Sequence, residues 1–158
     1  MQTGQARLAL VALGVTVADQ VTKALAVRGL VHRGSVQVVG DLVRLTLVRN
    51  PGVAFGVRFG EWAQLPLALL SAVVVVILVG LLLRRRTGSE PAEVALAAIA
   101  GGALGNLVDR LRFGTVVDFL DIGVGSTRWP VFNLADSAVT VGVLYLLLTQ
   151  LGHRSDAS

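Results

Sequence analysis

Cysteine is absent from this chain of 158 residues, which excludes disulfides and thiolate chemistry but says little about compartment. Charge is scarce: 15% of residues are Asp, Glu, Lys or Arg, against about 25% in an average soluble domain. Histidine is limited to His32 and His153, in a loop and a tail, and no HExxH or P-loop pattern occurs. No metal or cofactor is therefore expected. Aromatic residues make up only 5%, and the net charge of +4 comes from scattered arginines with no aromatic interleaving. That pattern suits anionic lipid headgroups before nucleic acid. No linker, long internal repeat or low-complexity tract is present, so residues 1–158 read as one domain.

What the chain does have is apolar length. Hydrophobic residues reach 54% with a mean hydropathy of +0.73, the composition of an integral membrane protein. Four candidate spans fall at about 8–27, 65–83, 94–109 and 131–152, with loops at about 28–64 and 110–130 that are expected outside the cytoplasm. Leu65–Leu83 carries no charge and is about the length needed to cross ~30 Å of hydrocarbon. The first span raises the alternative of a cleaved signal peptide, since Arg7 precedes its apolar core and Ala24-Leu25-Ala26 has the A-x-A form. The charged run "DQVTK" between core and site argues for an uncleaved span. Between the first two spans, Ser35–Asn50 is rich in β-branched residues with partial alternation, which predicts short strands on the membrane surface. The expected fold is thus an all-α bundle of four transmembrane helices with a small extracytoplasmic β-containing cradle. The Arg84–Arg86 triplet in a short loop places both termini in the cytoplasm, although a raw count of arginines opposes that orientation.

Ionisable residues inside a span cost ~2.5–3.5 kcal/mol each on insertion scales, so each is a functional candidate. Asp19, Asp109, Asp118 and Asp136 qualify. Asp19 and Lys23 stand one helical turn apart and form an i,i+4 pair that lowers insertion cost, lines a polar pocket, or does both. Asp109 lies in "GGALGNLVDR", where Gly101 and Gly105 form a GxxxG pair, Gly102 adds a third point of close helix approach, and Asn106 shares the Asp109 face. With Arg110 adjacent, Asp109 is expected to be ionised and structural. Asp136 lies about 8 Å into a span that begins near Val131, and Asp118, arriving through the loop after the third span, is expected at a similar depth. Two carboxylates in one desolvated site share a proton, so one can activate water while the other protonates a leaving group. Asp121, beside "GVGST", is expected on the surface. The "NPG" of residues 50–52 is an ordinary turn or a place for close backbone approach.

Five stretches in order, "DQVTK", "NPGVAFG" (Asn50–Gly56), "GGALGNLVDR", "VVDF" and "FNLAD", resemble the motifs of the lipoprotein signal peptidase, or signal peptidase II, family. They run from Asp19 to Asp136, and no motif position departs from the family pattern. The resemblance implies a membrane aspartic endopeptidase of the bacterial inner membrane, with the active site near the outer leaflet. Such an enzyme cuts the signal peptide of a prolipoprotein just before a diacylglyceryl-modified cysteine. It implies Asp118 and Asp136 as the catalytic pair. Asp19, Lys23, Asn50, Gly52, Asn106, Asp109, Arg110, Asn133 and Ala135 fall on supporting or substrate-binding positions. Prolipoproteins, membrane lipids and the lipopeptide inhibitor globomycin are the implied partners of a monomeric enzyme that binds no nucleic acid. Two other classes compete. A proton- or cation-relaying transport subunit explains intramembrane aspartates but not a convergent pair. A membrane assembly protein held by Asp–Arg pairs leaves Asp118 idle.

Overall fold

The computed structural model describes residues 3–54, 57–58, 64–84 and 90–155. Phe55, Gly56, Arg85 and Arg86, which belong to stretches singled out above, lie outside the described residues. Helix α1 runs Thr3–Leu30, α2 Gln64–Arg84, α3 Glu90–Phe113 and α4 Leu134–Ser155. Among these, α1, α2 and α3 are each long and apolar enough to cross a membrane, while the apolar part of α4, Leu134–Thr149, is shorter. Contacts at the two ends set the directions. Arg7 of α1 pairs with Glu90 of α3, and the Gln5 side chain donates to the Leu83 carbonyl of α2 at 3.4 Å. At the opposite end the strands gather, so the helices run up, down, up and down. Leu65, Val76, Leu111, Val141 and Leu148 are among many large apolar side chains turned outward, as a lipid-facing surface requires.

Helix α3 is the centre of the bundle because its small residues let neighbouring backbones approach. A Cβ at Gly101 would lie 2.4 Å from the Ala12 carbonyl oxygen of α1, and one at Gly105 would lie 2.5 Å from an Asp19 carboxylate oxygen. At Gly102 it would meet the Ala135 carbonyl oxygen of α4 at 2.6 Å. The expected GxxxG seam therefore faces α1, and the third glycine seats α4. Thr16 adds a hydrogen bond across the first seam, donating to the Gly101 carbonyl at 2.9 Å.

The cradle is a four-stranded antiparallel sheet in the order β1-β2-β5-β6, with β1 at Ser35–Val39, β2 at Val43–Asn50, β5 at Val116–Val124 and β6 at Thr127–Arg128. A separate hairpin joins β3, Val53–Ala54, to β4, Val57–Arg58. Strands β1 and β2 fall where the β-branched run predicts them. Strand β5, which the sequence reading does not anticipate, lies within the segment 110–130 between the third and fourth helical runs: "VVDFLDIGV" pairs with β2 and is buried over its first half. The sheet packs on the end of α1 through Phe119, Ala26 and Leu30, with Leu45, Leu47 and Leu120 around them. Beyond β5, Phe132 is strapped to it by hydrogen bonds in both directions with Leu120, at 2.8 and 3.0 Å. Asn133 and the start of α4 are thereby fixed beside Asp118.

Adding one methyl group separates packed from open glycines. Gly101→Ala is expected to lower stability by about 1–3 kcal/mol, as overpacking against backbone does. Gly80→Ala in α2, where nothing lies within 4 Å, is expected to be neutral or slightly stabilising. Thermal unfolding of both variants in detergent checks the difference.

Candidate active site

Asp118 is 2% exposed, on β5, and accepts hydrogen bonds on both carboxylate oxygens. The Asn50 amide donates to one at 2.9 Å, and the Asn133 amide donates to the other at 2.6 Å. Asn50 pairs with Val116 across β2 and β5, which makes Asp118 its diagonal neighbour on the same face. Asp136 is half-buried in the first turn of α4. Its carboxylate accepts from the Asn106 amide at 2.8 Å and from the Asn133 backbone N–H at 3.2 Å. Asn133 returns the contact, its side-chain oxygen accepting the Asp136 N–H at 2.9 Å. This is a reciprocal capping box in which Asn133 caps α4 and Asp136 takes the acidic third position. One side chain, Asn133, thus holds both acids. The helix begins at Leu134 rather than near Val131, so Asp136 sits at its N-terminus and not the expected ~8 Å along it. There the helix dipole favours a carboxylate.

Each amide in the cluster can point only one way. The Asn50 oxygen accepts the Gly52 N–H at 2.9 Å, leaving its NH2 for Asp118. The Asn106 oxygen accepts from the Lys23 ammonium at 2.8 Å and from Asn133 at 3.1 Å, leaving its NH2 for Asp136. Since an ammonium or a backbone N–H only donates, these partners dictate which end of each amide faces the acids. Gly52 makes the Asn50 turn possible. Its φ is +103°, and a Cβ there would lie 2.1 Å from Leu67 Cδ1 of α2. The close approach at "NPG" is therefore to α2.

Behind the pair lies a buried ionic cluster. Lys23 contacts Asp19 at 2.8 Å and Asp109 at 3.0 Å, with all three side chains nearly or fully buried. The i,i+4 pair is as the sequence predicts; the partner of Asp109 is not. Asp109 pairs with Lys23 on α1, and Arg110 instead stands within electrostatic reach of Asp136, Asp118 and Asp109 while its guanidinium donates to the Asn106 carbonyl at 3.4 Å. A side chain one residue along a helix points about 100° away, so Arg110 cannot share the Asp109 face. Asp109 also accepts from the Val117 N–H at 3.0 Å, beside Asp118, and Asp19 accepts from the fully buried Ala135 N–H at 2.9 Å, beside Asp136. Each supporting acid is tied to the backbone next to a member of the pair. Asp121 is a second correction: it is 6% exposed and bonded to Arg128 at 2.5 Å. Its alternation with Asp118 on β5 leaves it outside the site. Gln20, missed as a site residue, donates to Asp109 at 2.9 Å. It was legible as one more polar side chain within "DQVTK".

Burial pushes the Asp118 carboxyl up to about 6 from its ordinary 3.8; the Asp136 charge adds to this, while the Asn50 and Asn133 bonds and Lys23 oppose it. The acid also forms part of the wall of a cavity of about 480 Å³, with Val48, Arg49, Asn50, Pro51, Pro130 and Val131. Two carboxylates linked through Asn133, one of them desolvated, beside a cleft and at the end of apolar helices are the arrangement that an enzyme of the two-aspartate type requires.

Comparison with known proteins agrees. Residues 11–152 match the family described as signal peptidase (SPase) II. The lipoprotein signal peptidase of Syntrophotalea carbinolica is 42% identical over 144 residues, covering 90% of this chain and 89% of that protein. That of Paraburkholderia phytofirmans is 43% identical over 143 residues, covering 89% and 82%. A bacterial membrane enzyme solved by the in meso method at 2.3 Å superposes with a TM-score of 0.83 at 29% identity, covering 97% of this chain and 92% of that one. The chain belongs to the signal peptidase II family, and is an aspartic peptidase.

Two outcomes follow for the cluster. Lys23→Met leaves two buried carboxylates without a counter-ion and is expected to cost about 3–5 kcal/mol, read as loss of folded protein or a lowered unfolding midpoint. For Asp118 the folded state binds more protons than the unfolded state between pH about 4 and about 6, so its contribution to stability is full below that window and falls as pH rises through it. Unfolding midpoints measured across this range should decline in the wild type relative to Asp118→Asn, which has no proton to lose.

Proposed function

We infer that this chain removes signal peptides from prolipoproteins, cleaving before the diacylglyceryl-modified cysteine, and that Asp118 and Asp136 are the catalytic residues. The observation that carries the assignment is Asn133, which donates to Asp118 from its side chain and to Asp136 from its backbone. The pair holds one proton between them, carried by the desolvated Asp118. Asp136 takes a proton from a water whose oxygen bonds to the scissile carbonyl carbon, while Asp118 protonates the carbonyl oxygen. The resulting diol collapses: the C–N bond breaks, Asp136 gives its proton to the departing cysteine nitrogen, and a hydroxyl proton returns to Asp118. Arg110 steadies the negative charge of the pair from α3. Asp19, Lys23, Asn50, Gly52, Asn106, Asp109, Asn133 and Ala135 position the two acids and hold substrate backbone.

In this reading α4 is a fourth span, both termini are cytoplasmic, and the site lies near the outer leaflet of the bacterial inner membrane. The up-and-down course supports it, since Arg7, Glu90 and Arg84 lie at the end opposite the sheet. A substrate helix in the bilayer then meets the acids where its lipid anchor sits among headgroups. The cavity at Asp118 is the place for the peptide, and for globomycin as a lipopeptide inhibitor. The enzyme acts as a monomer, each copy carrying the whole site.

A prolipoprotein-processing assay tests the assignment. Asp118→Asn and Asp136→Asn are each expected to lose at least a thousandfold in cleavage rate at normal protein level, equivalent to about 4 kcal/mol of transition-state stabilisation. Asp19→Asn and Asp109→Asn should lose activity or protein level in part. Near-normal cleavage by either of the first two, correctly inserted, overturns the pair.

A further inference from the structure

A second cavity, of about 300 Å³, opens where the ends of α1 and α3 meet β2 and β5. Its buried wall includes Lys23 and Asp109, which are ion-paired, Lys23 also contacting Asp19. Its exposed wall carries Arg28 from α1, Arg49 from β2 and Arg112 from α3. Among the described residues, none of these three arginines forms an ion pair with a carboxylate. Arg49 and Arg112 lie 5.1 and 5.2 Å from the centroid of the same ring, that of Phe113. Two guanidinium groups from different elements are therefore gathered around one half-exposed aromatic residue, with a third arginine on the same cavity. Like charges gathered on one small cavity repel, and an anion bound among them relieves that repulsion. The planar donor fork of arginine matches phosphate oxygens in particular.

The depth of the cavity narrows the source of that phosphate. Arg28 and Arg112 occupy the last turns of α1 and α3, where the apolar helices give way to the sheet. On the same cavity, Ala24 and Val27 of α1, Phe113 of α3 and Val117 of β5 supply apolar side chains, and Phe113 is 50% exposed. A ligand seated here has arginines at the headgroup level and apolar side chains beside it in the hydrocarbon. A free phosphate ion uses only the first of these features; a phospholipid uses both.

We propose that Arg28, Arg49 and Arg112 form a binding site for the phosphate of an anionic phospholipid, adjoining the cavity at Asp118, with which it shares Arg49. The bound lipid neutralises Arg49, the residue before Asn50, and lies against Asp109, the acceptor for the Val117 N–H. The site does not rest on the catalytic assignment, because its occupancy is read without cleavage.

Native mass spectrometry of the detergent-solubilised full chain, with equal amounts of phosphatidylglycerol and phosphatidylcholine, tests it. The wild type should retain phosphatidylglycerol preferentially. Arg28→Gln/Arg112→Gln should weaken that retention about thirtyfold, from about 1 kcal/mol per arginine near the surface. Arg49→Gln alone should weaken it about fivefold on the same basis and serves if the double variant fails to fold. Arg33→Gln, an exposed arginine outside the cavity, should leave the preference intact. The proposal fails if the wild type shows no preference, if the cavity variants keep it, or if Arg33→Gln loses as much, which would mark a diffuse surface potential. Displacement of the lipid by excess inorganic phosphate also overturns it, in favour of a free-anion site.

Discussion

The buried ammonium of Lys23 is the constraint on which the site depends. It is 3% exposed and has three protons to give; Asp19, Asp109 and the Asn106 oxygen receive them at 2.8, 3.0 and 2.8 Å. Each contact ties α1 to something else. Asp109 carries the link to β5 through the Val117 N–H, Asp19 carries it to α4 through the Ala135 N–H, and Asn106 carries it to Asp136. A lone cation in a low-dielectric interior is too costly to tolerate, so the elements that bring its acceptors must converge. Folding of the bundle and assembly of the acids are in this sense one event.

The same logic extends to the amides. Asn50, Asn106 and Asn133 each have their oxygen claimed by an obligate donor, so their NH2 groups face carboxylates without a choice of orientation. The acids are held from several sides by groups that cannot turn away, which fixes their geometry. Small residues make room for this. Gly105 lets the Asp19 carboxylate lie against α3, Gly102 lets the Ala135 backbone do so, and Gly52 makes the turn that aims Asn50.

Much of this is legible along the chain because the membrane makes polar residues conspicuous. Asp19, Lys23, Asn106, Asp109 and Asp136 stand out in apolar runs, and the helical spacing of Asp19 and Lys23 suffices to pair them. The strands β1 and β2 show in their β-branched residues. Strand β5 is less visible, since "VVDFLDIGV" carries two acids and its first four residues are all buried, so it shows no alternation of burial. Asp121 reads as a solvent residue beside a glycine-rich turn, yet Arg128 on the returning strand neutralises it. Asp109 beside Arg110 reads as a local pair, yet the helix turns the two apart and α1 supplies the cation. In each case sequence proximity suggests a partner that backbone geometry forbids or replaces.

The sequence by itself determines the class of solvent, the long apolar helices, the glycine seam and the motif order that resembles the signal peptidase II family. These follow from composition and from spacing within single elements, where the period of a helix or strand is already known. Which acid meets which donor is decided only by tertiary structure. Asn133 bridging Asp118 and Asp136, Lys23 serving Asp109, and three arginines gathered on one cavity, two of them over Phe113, all join residues from different elements. Such pairings depend on the rotation and depth at which packed elements meet, and no local periodicity encodes those.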